Sequence, residues 1–253
     1  MRRRAERTRA LLLAAMVALA PLPAAAWNVD DCDAPADLLR LDTSLERTRS
    51  RLVAGGVLTI VAIGSSSTAG AGASSPAMNY PSRLKRFLAA EFPHTKIRVL
   101  NRGVNGEVTS DMLARFDRDV IQHKPDLVIW QVGANSALRA TTLGHYADDL
   151  REGVARIKAI GADVILMDPQ YAPKVLAKPI APAVLVATDM VARETGAGIF
   201  RRFDIMRHWV QGGVLTFPVI LDPDQLHLND RGYGCVAGAL AEAIVGAARP
   251  LTD

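Results

Sequence analysis

Five short segments rich in apolar residues recur along this chain, and most of them are continuous runs rather than alternating patterns. Such runs are typical of parallel strands that are buried on both faces of a sheet. Segments with helical spacing separate them, and this alternation favours an α/β fold with a doubly wound parallel sheet and helices on both faces. The predicted strands cover residues 58–63, 96–100, 126–132, 163–167 and 198–203.

The segments between these strands predict the helices of the fold. Apolar residues recur at intervals of three and four in each of them, which indicates one buried helical face. A loop with four prolines, 169–182, is expected to border the edge of the sheet. The predicted helices cover residues 38–52, 80–92, 109–123, 143–160, 184–195 and 230–248.

The first 26 residues have the pattern of an export signal. Five arginines precede an apolar stretch at 10–20, and small residues at 24–26 resemble a cleavage site. The apolar stretch is too short to span a bilayer, so we expect a cleaved signal peptide and a secreted or periplasmic protein. An uncleaved membrane anchor is the alternative. The rest divides into an N-terminal extension with one helix, 27–56, and one domain, 57–253.

The charge of the whole chain is largely a property of this signal. The formal net charge is +4, but without residues 1–26 the chain has 25 basic and 25 acidic residues. A neutral domain gives no reason to expect nucleic acid or an anionic membrane surface as a partner.

Two cysteines remain, Cys32 and Cys235. An oxidising compartment favours a disulfide, which would tie the mature N-terminus to the last helix. Two buried free thiols are the alternative. Neither cysteine belongs to a cluster with the spacing of zinc ligands, so no metal site is expected.

Polar segments follow several of the predicted strands. Because the carboxyl ends of parallel strands meet at one edge of a sheet, these segments are expected to converge there. A serine becomes nucleophilic when a histidine takes its proton and a carboxylate holds that histidine, and the segments supply all three residue types. They are 65–68, 101–106, 133–136 and 224–227.

In order and spacing these segments resemble the four sequence blocks of the SGNH (GDSL-type) hydrolases, a superfamily of esterases and lipases. The resemblance implies a flavodoxin-like five-stranded sheet and a serine esterase that needs no metal or cofactor. It implies Ser66 as nucleophile, His227 as base and Asp224 as the orienting acid. The backbone N–H groups of Ser66 and Gly106 and the side chain of Asn135 would form the oxyanion hole.

Two positions depart from the blocks of the superfamily. Ser65 and Ser136 stand where the superfamily has aspartates, which changes the hydrogen bonding expected around the nucleophile and around Asn135. By chemistry alone, Ser65 and Ser67 are rival nucleophiles, and only the alignment of the blocks prefers Ser66. Asp222 is likewise a rival of Asp224.

The sequence therefore predicts an exported esterase for short acyl groups, with a small-molecule or glycan ester as substrate. Acyl transfer to a glycan proceeds through the same acyl-enzyme and stays open. A non-catalytic carbohydrate-binding module on the same fold also stays open. Dinucleotide binding is disfavoured because the glycines at 70 and 72 lack a third at 75, and a glycosidase because no pair of acids accompanies Asp224.

Overall fold

A computed structural model describes residues 32–248 of the chain. The predicted signal peptide, 1–26, lies outside these residues, as do 27–31 and 249–253. The predicted extension is therefore described only from Cys32 onward.

Five parallel strands form a single sheet with the order β2-β1-β3-β4-β5. This order confirms the flavodoxin-like, doubly wound architecture, in which the chain starts in the interior of the sheet and winds towards both edges. The middle strand β3 is buried along its whole length, which explains why its sequence is apolar up to Gln131. The strands β1 to β5 are Gly56–Gly64, Thr95–Gly103, Leu127–Gln131, Asp163–Met167 and Gly198–Phe200.

Helices cover both faces of the sheet. The helices α4 and α13 pack on each other beside β2, whereas α8 and α10 pack on each other beside β4. None of the helices within residues 32–248 has the length and apolar character needed to cross a membrane. In chain order, α1 to α13 are Ala36–Leu39, Glu46–Ala54, Ser66–Ala69, Tyr80–Glu91, Thr109–Leu113, Phe116–Asp119, Ala134–Leu138, Leu143–Ala159, Pro173–Leu176, Ala181–Thr195, Arg202–Gln211, Phe217–Ile220 and Asp230–Ala248.

The single helix predicted at 38–52 is wrong. The structure has two helices, α1 and α2, joined by a bend in which Asp42 has a φ of 56°. Leu41 and Leu45 are buried by this bend, and their backbone groups bond elsewhere in the protein. The Leu41 carbonyl accepts from Ile199 at 3.4 Å, and the Leu45 N–H donates to Ala247 at 3.1 Å. The apolar spacing thus reflects packing of a bend rather than one helical face.

Three other predicted elements also differ from the structure. The helix at 109–123 is divided into α5, α6 and a 3₁₀ turn, Ile121–His123, because the backbone leaves the helical conformation at Arg115 and Val120, whose φ values are −115° and −123°. The strand at 198–203 ends at Phe200, since Phe203 already donates its N–H to Asp168 in the first turn of α11. The proline-rich loop at 169–182 contains α9, and α10 begins at Ala181 rather than at 184.

A disulfide joins Cys32 to Cys235 in α13, across 203 residues of sequence. Both cysteines are buried. The carbonyl of the next residue, Asp33, accepts from the indole N–H of Trp209 at 3.0 Å. The start of the described chain is therefore held against α11 and α13.

Replacing Cys32 by Ser is expected to lower the free energy of unfolding by about 2–4 kcal/mol, because the crosslink no longer restricts the unfolded chain. Thermal melts of residues 27–253 with and without reductant measure this loss. Reductant should lower the melting temperature of the wild type to about that of the variant. The melting temperature of the variant should not change. An unchanged melting temperature of the reduced wild type would contradict the prediction.

Candidate active site

The first polar segment forms a tight turn between β1 and α3. Ser65 is buried, and its backbone N–H and its hydroxyl donate to Oε1 of Gln131 at 2.9 and 3.0 Å. Ser67 is buried as well, whereas Ser66 is only partly buried. Of the three serines, Ser66 is therefore the most accessible.

Close backbone packing holds this turn in place. A Cβ on Gly103, at the end of β2, would lie 2.0 Å from the backbone nitrogen of Ala69 in α3. The side chain of Asn101 fastens the same contact, since its Nδ2 donates to the Thr68 carbonyl at 2.7 Å. Only a glycine at position 103 lets the nucleophile turn approach β2 so closely.

The last polar segment is a loop closed by an antiparallel bridge between Leu221 and Leu228. One oxygen of Asp224, Oδ1, accepts from the backbone N–H groups of Leu226 and His227, each at 2.9 Å. The other oxygen, Oδ2, lies 2.5 Å from Nδ1 of His227. Three residues of spacing therefore suffice for the carboxylate to hold both the backbone and the ring of the histidine.

The second nitrogen of the His227 ring reaches the nucleophile turn. Nε2 of His227 lies 2.8 Å from Oγ of Ser66. Since Nδ1–H donates to Asp224, the remaining nitrogen is an acceptor for the serine proton. The structure thus brings Ser66, His227 and Asp224 into one hydrogen-bonded line.

Hydrogen bonds from neighbouring residues favour the ionised form of Asp224. Burial would raise the pKa of this carboxyl, but the hydrogen bonds from the backbone and ring of His227 and from Leu226 outweigh it and lower the pKa. Asp224 is therefore an anion at neutral pH and can stabilise a protonated His227 ring.

Asp222, the rival carboxylate, has a different place. Its Oδ1 accepts from the backbone N–H of Asp224 at 3.2 Å, and its own N–H donates to the His227 carbonyl at 2.8 Å. These contacts shape the loop, whereas the ring of His227 bonds to Asp224.

Gly106 and Asn135 lie next to each other beside the nucleophile turn. Gly106 has a φ of 81°, which favours glycine, and Nδ2 of Asn135 donates to the carbonyl of the following residue, Glu107, at 2.8 Å. Within residues 32–248, the backbone N–H groups of Ser66 and Gly106 meet no acceptor. These two groups and the second amide hydrogen of Asn135 are available to bind an oxyanion.

A buried arginine ties this region to the sheet. Nε of Arg115 donates to Oε2 of Glu107 at 2.8 Å, and its Nη2 donates to the carbonyls of Arg102 and Gly64 at 3.0 and 3.3 Å. The loop that carries Gly106 is therefore fixed to the ends of β1 and β2, beside Ser66.

The two departures from the superfamily blocks have different outcomes. Ser65 satisfies its hydrogen bonds on Gln131, as described above. The Ser136 hydroxyl is buried and has no hydrogen-bond partner among the described residues. Asn135 nevertheless keeps a defined orientation because Glu107 binds its amide.

Sequence reasoning missed two buried amides that support the site, Gln131 and Gln170. Gln131 ends β3, and Gln170 follows β4, where its Nε2 donates to the Leu226 carbonyl at 3.1 Å. For Gln131 the available signal was a polar side chain at the end of a continuously apolar run, whereas Gln170 follows Asp168 and Pro169 and has no such signal. Across residues 32–248, no group of three or more His, Cys, Asp or Glu side chains could hold a metal ion.

The five-stranded parallel sheet is that of an SGNH-type hydrolase, which confirms the predicted superfamily and fold class. A model of the non-GDSL lipase-like family matches residues 31–250, and the chain belongs to that family. A serine at position 65, in place of the aspartate of the GDSL block, agrees with this description.

Two curated relatives match parts of the chain. An acetylxylan esterase of Geobacillus stearothermophilus is 35% identical over 94 residues, which cover 33% of this chain and 43% of that protein. An arylesterase of Vibrio mimicus is 34% identical over 77 residues, which cover 30% of this chain and 38% of the arylesterase. The chain thus matches less than half the length of either relative.

Solved structures share the fold over longer stretches. A two-domain esterase active on acetylated mannans superimposes with a TM-score of 0.69 and 22% identity, covering 84% of this chain and 58% of the other. The acetylxylan esterase Axe2 of Geobacillus stearothermophilus gives a TM-score of 0.63 and 24% identity, covering 75% and 95%. At these identities the likeness concerns the fold alone.

Replacing Gly103 by Ala is expected to displace α3, because the new methyl group meets backbone atoms that cannot move separately. We expect a loss of about 1–3 kcal/mol of unfolding free energy, the usual cost of overpacking. Ser66 should react more slowly with a fluorophosphonate probe. Gly144→Ala in α8 is the control, since a Cβ there meets nothing within 4 Å. Equal stability and labelling of both variants would contradict the proposed packing.

Proposed function

We propose that this protein is a serine esterase that hydrolyses carboxylic esters through Ser66, His227 and Asp224. The observation that carries the proposal is the hydrogen-bonded line from Ser66 Oγ to His227 Nε2, at 2.8 Å, and from His227 Nδ1 to Asp224 Oδ2, at 2.5 Å. Membership of the non-GDSL lipase-like family supports it, as do relatives that are named esterases.

In the proposed reaction, Ser66 Oγ attacks the ester carbonyl while His227 Nε2 takes the serine proton. The tetrahedral intermediate collapses, the bond to the alcohol breaks, and His227 returns the proton to the departing alcohol oxygen. Water then attacks the acyl-enzyme, with His227 again as base, and the acid leaves. Asp224 stays ionised throughout and stabilises the imidazolium form of His227.

The negative charge of the tetrahedral oxygen needs donors that are already in place. We assign this role to the backbone N–H groups of Ser66 and Gly106 and to Nδ2 of Asn135. None of these groups has to break a bond within the described protein, because Asn135 keeps one amide hydrogen on Glu107 and has a second to offer. Removing one such donor typically costs on the order of 3 kcal/mol of transition-state stabilisation.

We propose a short acyl group, acetyl above all, carried on a glycan, as the substrate. The names of the similar proteins support this choice, since one acts on acetylated xylan and another on acetylated mannans. The pattern of residues 1–26 and the buried disulfide support export to an oxidising compartment.

Labelling with a fluorophosphonate probe tests the catalytic assignment. We expect an adduct on Ser66 in residues 27–253 and no adduct in Ser66→Ala, whose esterase activity should fall by at least about 10³-fold. Ser67→Ala is the matched control, since this buried neighbour should leave the labelling intact. An adduct on Ser65 or Ser67, or none on a folded wild type, would contradict the assignment.

Hydrolysis of p-nitrophenyl esters of increasing chain length tests the substrate class. We expect kcat/KM to be highest for the acetyl ester and to fall with longer acyl chains. Acetylated xylan and acetylated mannan should release acetate in the same assay series. Faster hydrolysis of long-chain esters than of acetyl esters would overturn the proposed acyl specificity and leave the catalytic residues in place.

A further inference from the structure

One peptide unit, between Leu226 and His227, is held at both of its ends. Its N–H, on His227, donates to Asp224 Oδ1 at 2.9 Å. Its carbonyl, on Leu226, accepts from Nε2 of Gln170 at 3.1 Å. This peptide fixes the position of the His227 Cα atom and the direction of its N–Cα bond, from which the side chain starts. Both hydrogen bonds therefore bear on the position of the imidazole ring.

The orientation of the Gln170 amide is determined by its second partner. Gln170 is only 2% exposed, and its Oε1 accepts from Nη2 of Arg202 at 2.9 Å. A guanidinium has donors only, so the oxygen of the amide must face Arg202. Nε2 of Gln170 then faces the Leu226 carbonyl. Arg202 therefore determines which end of the Gln170 amide donates to the peptide.

Arg202 is itself fixed to the edge of the sheet. It is the first residue of α11, is fully buried, and donates from Nε to the Asp168 carbonyl at 3.0 Å. The Asp168 side chain caps the same helix by accepting from the Phe203 N–H at 2.9 Å. A continuous set of hydrogen bonds thus leads from the ends of β4 and β5 through Arg202 and Gln170 to the peptide of His227.

The loop needs such external support because part of it has unfavourable backbone geometry. Gln225, within the Asp224–His227 segment, has a φ of 60°, in the left-handed region that residues with a side chain rarely occupy. Such conformations persist where surrounding contacts determine them. Gln170 supplies one such contact, and the Lys174 N–H supplies another by donating to the Gln225 carbonyl at 3.3 Å.

We propose that Gln170, oriented by Arg202, is a positioning residue that holds His227 at hydrogen-bond distance from Ser66. The inference rests on the esterase function proposed above. Gln170 acts through the backbone of the catalytic loop and has no contact with the reacting atoms. Displacing a catalytic group by about 1 Å can cost on the order of 10²-fold in rate, so loss of this hydrogen bond should be measurable.

Gln170→Glu separates positioning from folding. A glutamate keeps an oxygen for Arg202, but its carboxylate cannot donate to the Leu226 carbonyl. We expect kcat per active site, counted with the fluorophosphonate probe, to fall at least about tenfold. KM should change less than about twofold, because substrate contacts are untouched. Gln122→Glu is the matched control, since the exposed Gln122 also donates its amide to a backbone carbonyl, that of Arg118, far from the site.

Unchanged kcat in a folded Gln170→Glu protein would overturn the proposal. If that variant does not fold, Gln170→Met is the second variant, because it removes the donor and leaves the hydrogen bond of Arg202 to Asp168 in place. It lacks the same donor and should show the same loss of kcat, and wild-type kcat in it would likewise overturn the proposal. An inactive wild type would instead refute the esterase function itself.

Discussion

The hydrogen bond between Ser66 Oγ and His227 Nε2 joins two segments that lie 161 residues apart in sequence. It can form only because the carboxyl ends of the parallel strands meet at one edge of the sheet, with Ser66 directly after the first strand. The histidine reaches that edge from a loop rather than from a strand. The position of the histidine therefore depends on the contacts that hold this loop against the sheet.

Buried side chains that lie near the strand ends or bond to them hold each of the three loops of the site. Gln131 receives both donors of Ser65 and so holds the turn before the nucleophile. Arg115 binds the loop of Gly106 to β1 and β2, and Gln170 binds the loop of His227. These side chains are buried, and their hydrogen bonds offset part of the free energy that it costs to remove them from water. These hydrogen bonds hold the three loops in fixed positions relative to the sheet.

The sequence predicted the sheet well because its strands, apart from the more polar β2, are largely apolar runs bounded by turn residues. It predicted the polar segments of the site because each follows a strand or precedes a helix in a recognisable order. It failed where tertiary contacts override local pattern, as at Leu41 and Leu45, whose helical spacing belongs to a buried bend. It also could not find Gln170, whose role depends on a loop 56 residues later in the chain.

The departures at Ser65 and Ser136 show the same limit. The sequence identified them as positions of altered hydrogen bonding, but not what takes the place of the missing aspartates. In the structure, Ser65 bonds to Gln131, whereas the Ser136 hydroxyl meets no partner among the described residues. Partners of this kind come from other strands and depend on the register of the sheet, which no local pattern records.

The most direct test of the account is to trap the acyl-enzyme. Residues 27–253 are mixed with p-nitrophenyl acetate, quenched in acid within the first turnover, and analysed by peptide mass spectrometry. The account predicts one acetyl group on Ser66, formed as fast as p-nitrophenol is released and lost as acetate appears. Acetate release without acetylated Ser66 at any time, or with the acetyl group on a neighbouring serine, would contradict it.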